Sequence, residues 1–184
     1  MKILWLDLET TGLDWNKHQI LELAAVADDT DQPIGEAKTF QVLVWNDPLV
    51  IEPRLLEMHK ELLAKITREN SVLPRELAGL LGDFVLSLGW DRHLNIGGKN
   101  VGFDINFLGR QEWFGRDGLA LTFGGFRSRS RFIDIGMLWA NWKTDEALPG
   151  TNQCLERAGL QGGTNHRALE DCLIAAELFR KGTK

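Results

Sequence analysis

Hydrophobic and polar positions divide the chain into short apolar runs and longer helical stripes. Residues 3–8, ILWLDL, form a compact apolar run of the kind found in a strand buried on both faces. Residues 20–27, ILELAAVA, predict a second strand, and residues 38–45, KTFQVLVW, a third with partial alternation. Asp29, Asp31, Pro33 and Gly35 mark the turn between the last two, so the early strands read as antiparallel. Helical spacing then dominates. It predicts helices over 54–66, over 77–88 behind Pro74, and over 103–114, 135–142, 151–159 and 167–181. Short strands are expected at 94–98, which ends in the pair Gly97-Gly98, and at 131–134. Three strands followed by alternating helices and strands predict an α/β fold with a mixed sheet flanked by helices.

The length of 184 residues suits one domain spanning 1–184. A hydrophobic fraction of 43% with 26% charged residues excludes a disordered chain. No apolar run exceeds five residues, so no membrane span is expected. Asp7 and Glu9 interrupt what would be the hydrophobic core of a secretory signal, and the protein is expected to be cytoplasmic. The two cysteines, Cys154 and Cys172, stand apart and read as reduced thiols. A net charge of −5 argues against a protein that coats nucleic acid non-specifically, but not against an enzyme whose acidic site is filled by metal ions.

Three constellations of acidic residues change the picture. Asp7 and Glu9 alternate along the first strand, so both project from one face with Cα atoms ~6.6 Å apart. Two carboxylates in an apolar strand repel each other and lose hydration. A divalent cation resolves both problems; a strand end that reaches solvent is the plain alternative. Asp104 follows the glycine pair and falls in the first turn of a helix, where the dipole favours an anion. His166 and Asp171 would lie about 140° apart on one continuous helix. They converge only if the histidine sits on the preceding loop, where an imidazole near neutral pKa suits a general base. Arg127, Arg129 and Arg131 alternate, and in an extended segment would face one way towards phosphates.

The order Asp-x-Glu, Asp, His-x4-Asp resembles the DEDDh family of 3′→5′ exonucleases within the ribonuclease H-like superfamily. The matching blocks are DLETTGL at 7–13, NVGFDINFL at 100–108 and HRALED at 166–171, with EMHKELLAKI at 57–66 and FID at 132–134 also similar. The sister group with tyrosine in the third block is excluded, since the chain has no tyrosine. The resemblance implies a ribonuclease H-like sheet, with Asp7, Glu9, Asp104 and Asp171 holding two divalent cations, Mg²⁺ or Mn²⁺, and His166 as the base. The resemblance makes Asp7 the bridging ligand. It places Thr10, Thr11, Gly12, Leu13, Met58, His59, Phe103 and Asn106 against the 3′ end of a single-stranded DNA or RNA. Leu13 would act as a wedge beside the terminal base. The implied product is a nucleoside 5′-monophosphate.

Several relatives are dimers and others serve polymerases, so a homodimer or a polymerase partner stays open. An oligoribonuclease acting on very short RNA is the alternative within the family. However, Phe103 stands where those enzymes commonly carry a glutamine. A non-catalytic nucleic-acid-binding protein of the same fold would be expected to lack a metal ligand, and a small-molecule phosphoesterase would not need the apolar Leu13 and Met58.

Overall fold

The computed structural model describes residues 1–163 and 166–183. Its centre is β1 (Lys2–Thr10), a strand lying between an antiparallel and a parallel neighbour. β2 (Ile20–Asp29) pairs with it antiparallel from Lys2↔Asp29 to Glu9↔Glu22, and β3 (Lys38–Leu43) continues the meander. On the other side β4 (His93–Gly98) runs parallel to β1.

The start of β4 pairs with β7 (Phe126–Ser128) and its end with β8 (Ile133–Asp134). β5 (Gly115–Asp117) and β6 (Ala120–Phe123) complete a small antiparallel sheet with β7. The spatial order is β3-β2-β1-β4-β7-β6-β5. This is the expected mixed α/β sheet, three antiparallel strands followed by parallel ones.

Both faces of β1 are covered, which is why its sequence runs apolar rather than alternating. Leu4, Leu6 and Leu8 pack against Leu77, Leu81 and Val85 of α3 (Leu77–Ser87) and Val101, Ile105 and Leu108 of α4 (Val101–Leu108). Ile3 and Trp5 face Cys172, Ala175 and Ala176 of α7 (Ala168–Gly182). α5 (Ile135–Trp139) and α6 (Thr151–Ala158) complete that layer. Among the described residues no helix is long and apolar enough to cross a membrane. Both cysteines are buried and free.

Two expected elements differ. The helix predicted over 54–66 is two, α1 (Pro53–Met58) and α2 (Lys60–Lys65), broken at His59. The break turns His59 inward, where only 3% of it is exposed; a periodic apolar pattern assigns such a polar residue to the outside. The helix predicted over 103–114 stops at Leu108, and the chain from 115 forms hairpins. Gly118 and the pair Gly124-Gly125 take positive φ at their turns, the conformation that primed two-residue turns require. The arginine run does not extend as one strand either. Arg127 is held by Asp117 at 2.9 Å and β7 ends at Ser128.

Gly97 lies against the Trp5 ring. A Cβ at position 97 would stand 2.4 Å from the indole. Gly97→Ala is therefore expected to cost about 2 kcal/mol through overpacking, read as a lower urea midpoint with unchanged m-value.

Candidate active site

The polar end of β1 carries the acids. Asp7 and Glu9 project from the face that also bears Ile3 and Trp5, towards α7. The first turn of α7 brings Asp171 to them. One ligand oxygen from each of Asp7, Glu9 and Asp171 can be chosen so that all three lie within 4.8 Å of one another. Asp104, buried in the first turn of α4, approaches from the opposite face, and its Oδ1 accepts the Leu8 N–H at 3.0 Å. It stands outside the 4.8 Å cluster but close enough to act on Asp7 electrostatically.

Burial and mutual repulsion make these groups reluctant to ionise. Burial, then Asp104, Asp171, Glu9 and Glu22, raises the Asp7 carboxyl well above the usual carboxylate range. Burial, then Asp171 and Glu22, pushes Glu9 up to about 8. Burial pushes Asp171 up to about 6 against the pull of His166. Burial also raises Asp104, opposed by its backbone hydrogen bonds. Among the described residues the buried Asp171 Oδ1 has no hydrogen-bond partner. Close, desolvated oxygens with an orphaned acceptor fit a divalent cation, which favours oxygen ligands and neutralises the repulsion.

His166 precedes α7, as its spacing from Asp171 requires. It is exposed and adopts a left-handed φ of 50°. It borders two openings. One is a cleft of about 450 Å³ lined by Asp7, Lys99, residues 150–153 and Asp171; the other is a groove of about 800 Å³ between α1–α2 and the start of α7, lined by Met58 and Arg167 among others.

The remaining candidates divide. Leu13 and Met58 are exposed, at 60% and 52%. His59 is buried with its Nδ1 3.7 Å from Glu9 Oε2, and burial followed by His166 lowers its pKa. Thr10 Oγ1 donates to the Gly12 carbonyl and Thr11 Oγ1 accepts the Gln19 N–H, so both hydroxyls shape the loop after β1. Gly12 admits the His18 ring, which lies 2.4 Å from where a Cβ would stand. The Leu13 N–H donates to Glu52. Phe103 stacks at 4.8 Å on Phe107, and Asn106 accepts from Arg116; neither lines the two openings.

Sequence reading passed over Glu22, which is completely buried opposite Glu9. The signal was available, since it is the only charge in ILELAAVA.

Residues 4–179 match a family model, RNase_T, described as an exonuclease. A DNA polymerase III of the PolC type from Thermotoga petrophila is 26% identical over 185 residues, covering 95% of this chain. The chain spans 11% of that curated relative's length. E. coli Exonuclease I in complex with a dT13 oligonucleotide superposes with a TM-score of 0.66 at 16% identity, over 97% of this chain and 40% of the other. S. pombe Pop2p in its Mg²⁺- and Mn²⁺-bound form gives 0.62 at 14%, over 97% and 81%. At these identities the structural likeness is one of fold.

Glu9 retains a proton in the folded chain at pH values where the unfolded chain has released it. Its contribution to stability therefore falls as pH rises from 4.5 through about 8. In EDTA the melting temperature is expected to decline across that window, and less steeply in Glu9→Gln. Added Mn²⁺ should offset the decline and release protons in calorimetry. An identical pH profile in Glu9→Gln would remove Glu9 from the cluster.

Proposed function

The chain belongs to the RNase T exonuclease family, and we propose that this protein removes nucleoside 5′-monophosphates from the 3′ end of single-stranded DNA or short RNA by two-metal-ion hydrolysis. The carrying observation is the convergence of Asp7, Glu9 and Asp171 within 4.8 Å, with Asp104 behind them and His166 at the open side. In this reading residues 1–184 act as one exonuclease domain.

Asp7, Glu9, Asp104 and Asp171 would hold the cations, with Asp7 shared between them. Two bound Mg²⁺ or Mn²⁺ ions would supply positive charge at the scissile phosphate and acidify a water. His166 takes that water's proton. A loop position lets its imidazole approach the 3′ end and withdraw, which a helix would forbid. Leu13 and Met58 offer exposed apolar surface to the terminal base, and the hydrogen bonds of Thr10, Thr11 and Gln19 hold the Leu13 loop in shape. His59 beside Glu9 would face the terminal nucleotide. Phe103 and Asn106 would contribute through α4.

The test is product analysis with 5′-labelled single-stranded DNA and RNA from 2-mers to 20-mers, with Mg²⁺, with Mn²⁺ and with EDTA. A metal-dependent ladder of single-nucleotide steps from the 3′ end is expected. A preference confined to the shortest RNAs would select the oligoribonuclease alternative; no cleavage of any substrate would favour a binding role. Asp7→Asn should reduce kcat by at least about 10³-fold with the fold intact, given the charge stabilisation lost. His166→Ala should lower kcat by about 10²–10⁴-fold while Mn²⁺ affinity in calorimetry stays near that of the parent. A large loss of Mn²⁺ affinity in that variant would make His166 a ligand instead.

A further inference from the structure

We propose that the ion pair between buried Glu22 and half-buried Arg167 is a positioning device that fixes the hinge between His166 and α7. It thereby presents Asp171 to β1 and leaves His166 room to turn. The proposal rests on the exonuclease reading above.

Glu22 is 0% exposed and directly opposite Glu9 in the β1–β2 register. Unlike its neighbours it is fully engaged. The Arg167 guanidinium reaches it with two nitrogens, Nη2 to Oε1 at 3.1 Å and Nε to Oε2 at 3.4 Å. The N–H of Ala168, the first residue of α7, donates to Oε2 at 3.3 Å. Gln41 Nε2 donates to Oε1. Glu22 therefore sits at the positive end of α7 and is not available as a fifth metal ligand.

Arg167 occupies a junction. Its predecessor His166 is left-handed at φ 50°, whereas Arg167 itself is extended at φ −128° and ψ 117°. The Arg167 carbonyl accepts the Asp171 N–H at 3.0 Å, so the residue gripped by Glu22 is also the one that sets the first turn carrying Asp171. An ion pair with one partner fully buried is seldom the most stable filling for its site, since apolar replacements often do as well. A guanidinium fork instead fixes orientation, which an active site requires to within about half an ångström.

The test separates positioning from stability. Arg167→Met leaves Glu22 as an unpaired buried charge and should lower the melting temperature. Adding Glu22→Gln removes that charge and should restore it. In the double variant kcat is nevertheless expected to stay at least about tenfold low, as displaced catalytic groups entail, with KM for a single-stranded oligonucleotide little changed. Mn²⁺ affinity in calorimetry should also stay weakened.

Arg167→Lys keeps the charge without the fork, and should fold normally with an intermediate kcat. A double variant that recovers both kcat and Mn²⁺ affinity along with its melting temperature would overturn the proposal, as would parental kcat and Mn²⁺ affinity in Arg167→Lys. A parent protein that cleaves nothing would overturn the exonuclease reading instead, and Mn²⁺ affinity across the same variants would still decide the hinge.

Discussion

Mutual repulsion among carboxylates sets the terms for this structure. Asp7, Glu9, Glu22, Asp104 and Asp171 all act on one small region at the end of β1, and burial removes much of the water that would screen them. A sheet of apolar strands does not tolerate such a concentration of acids without compensation. The arrangement of α7, the loop after β1 and the start of α4 can be understood as different answers to that demand.

The answers differ by position. Glu22 is answered by an arginine fork and a helix terminus, and Asp104 by the Leu8 N–H. Farther along β2, Asp28 is answered by Arg180, again from α7, and by the Trp5 indole N–H of β1. The basic side chains of α7 and its flank thus serve the buried acids that have a purely internal role. Asp7, Glu9 and Asp171, and Asp104 despite its hydrogen bond, are left with proton affinities raised by burial, a condition that a divalent cation relieves.

The first two strands were legible because their apolar runs are long enough to be buried on both faces, and the third through its partial alternation. Asp7 and Glu9 were legible because charge in such a run is conspicuous. The role of Glu22 was not, although it interrupts its strand in the same way. Its partner Arg167 lies 145 residues away, and no local pattern records that pairing. His59 was singled out by the resemblance, but its burial was concealed by a helical period that continues through it, while the chain actually breaks there to bury the ring. The hairpins from 115 to 128 were hidden for a related reason. Apolar spacing over 103–114 mimics a helix, whereas Asp117-Gly118 and Gly124-Gly125 are strong turn signals that point the other way.

The packing of α7 on β1 and β2 has a consequence in time. As a polypeptide emerges from the ribosome, Asp7 and Glu9 are made some 160 residues before Asp171, and Glu22 and Asp28 wait 145 and 152 residues for their arginines. Until the last helix arrives, the central hairpin exposes its Trp5 face and carries uncompensated acids. The nascent sheet therefore gains its covering layer, its counter-charges and the last carboxylate of its acidic cluster when α7 packs. Packing of the sheet and assembly of its acidic cluster are thereby one and the same step.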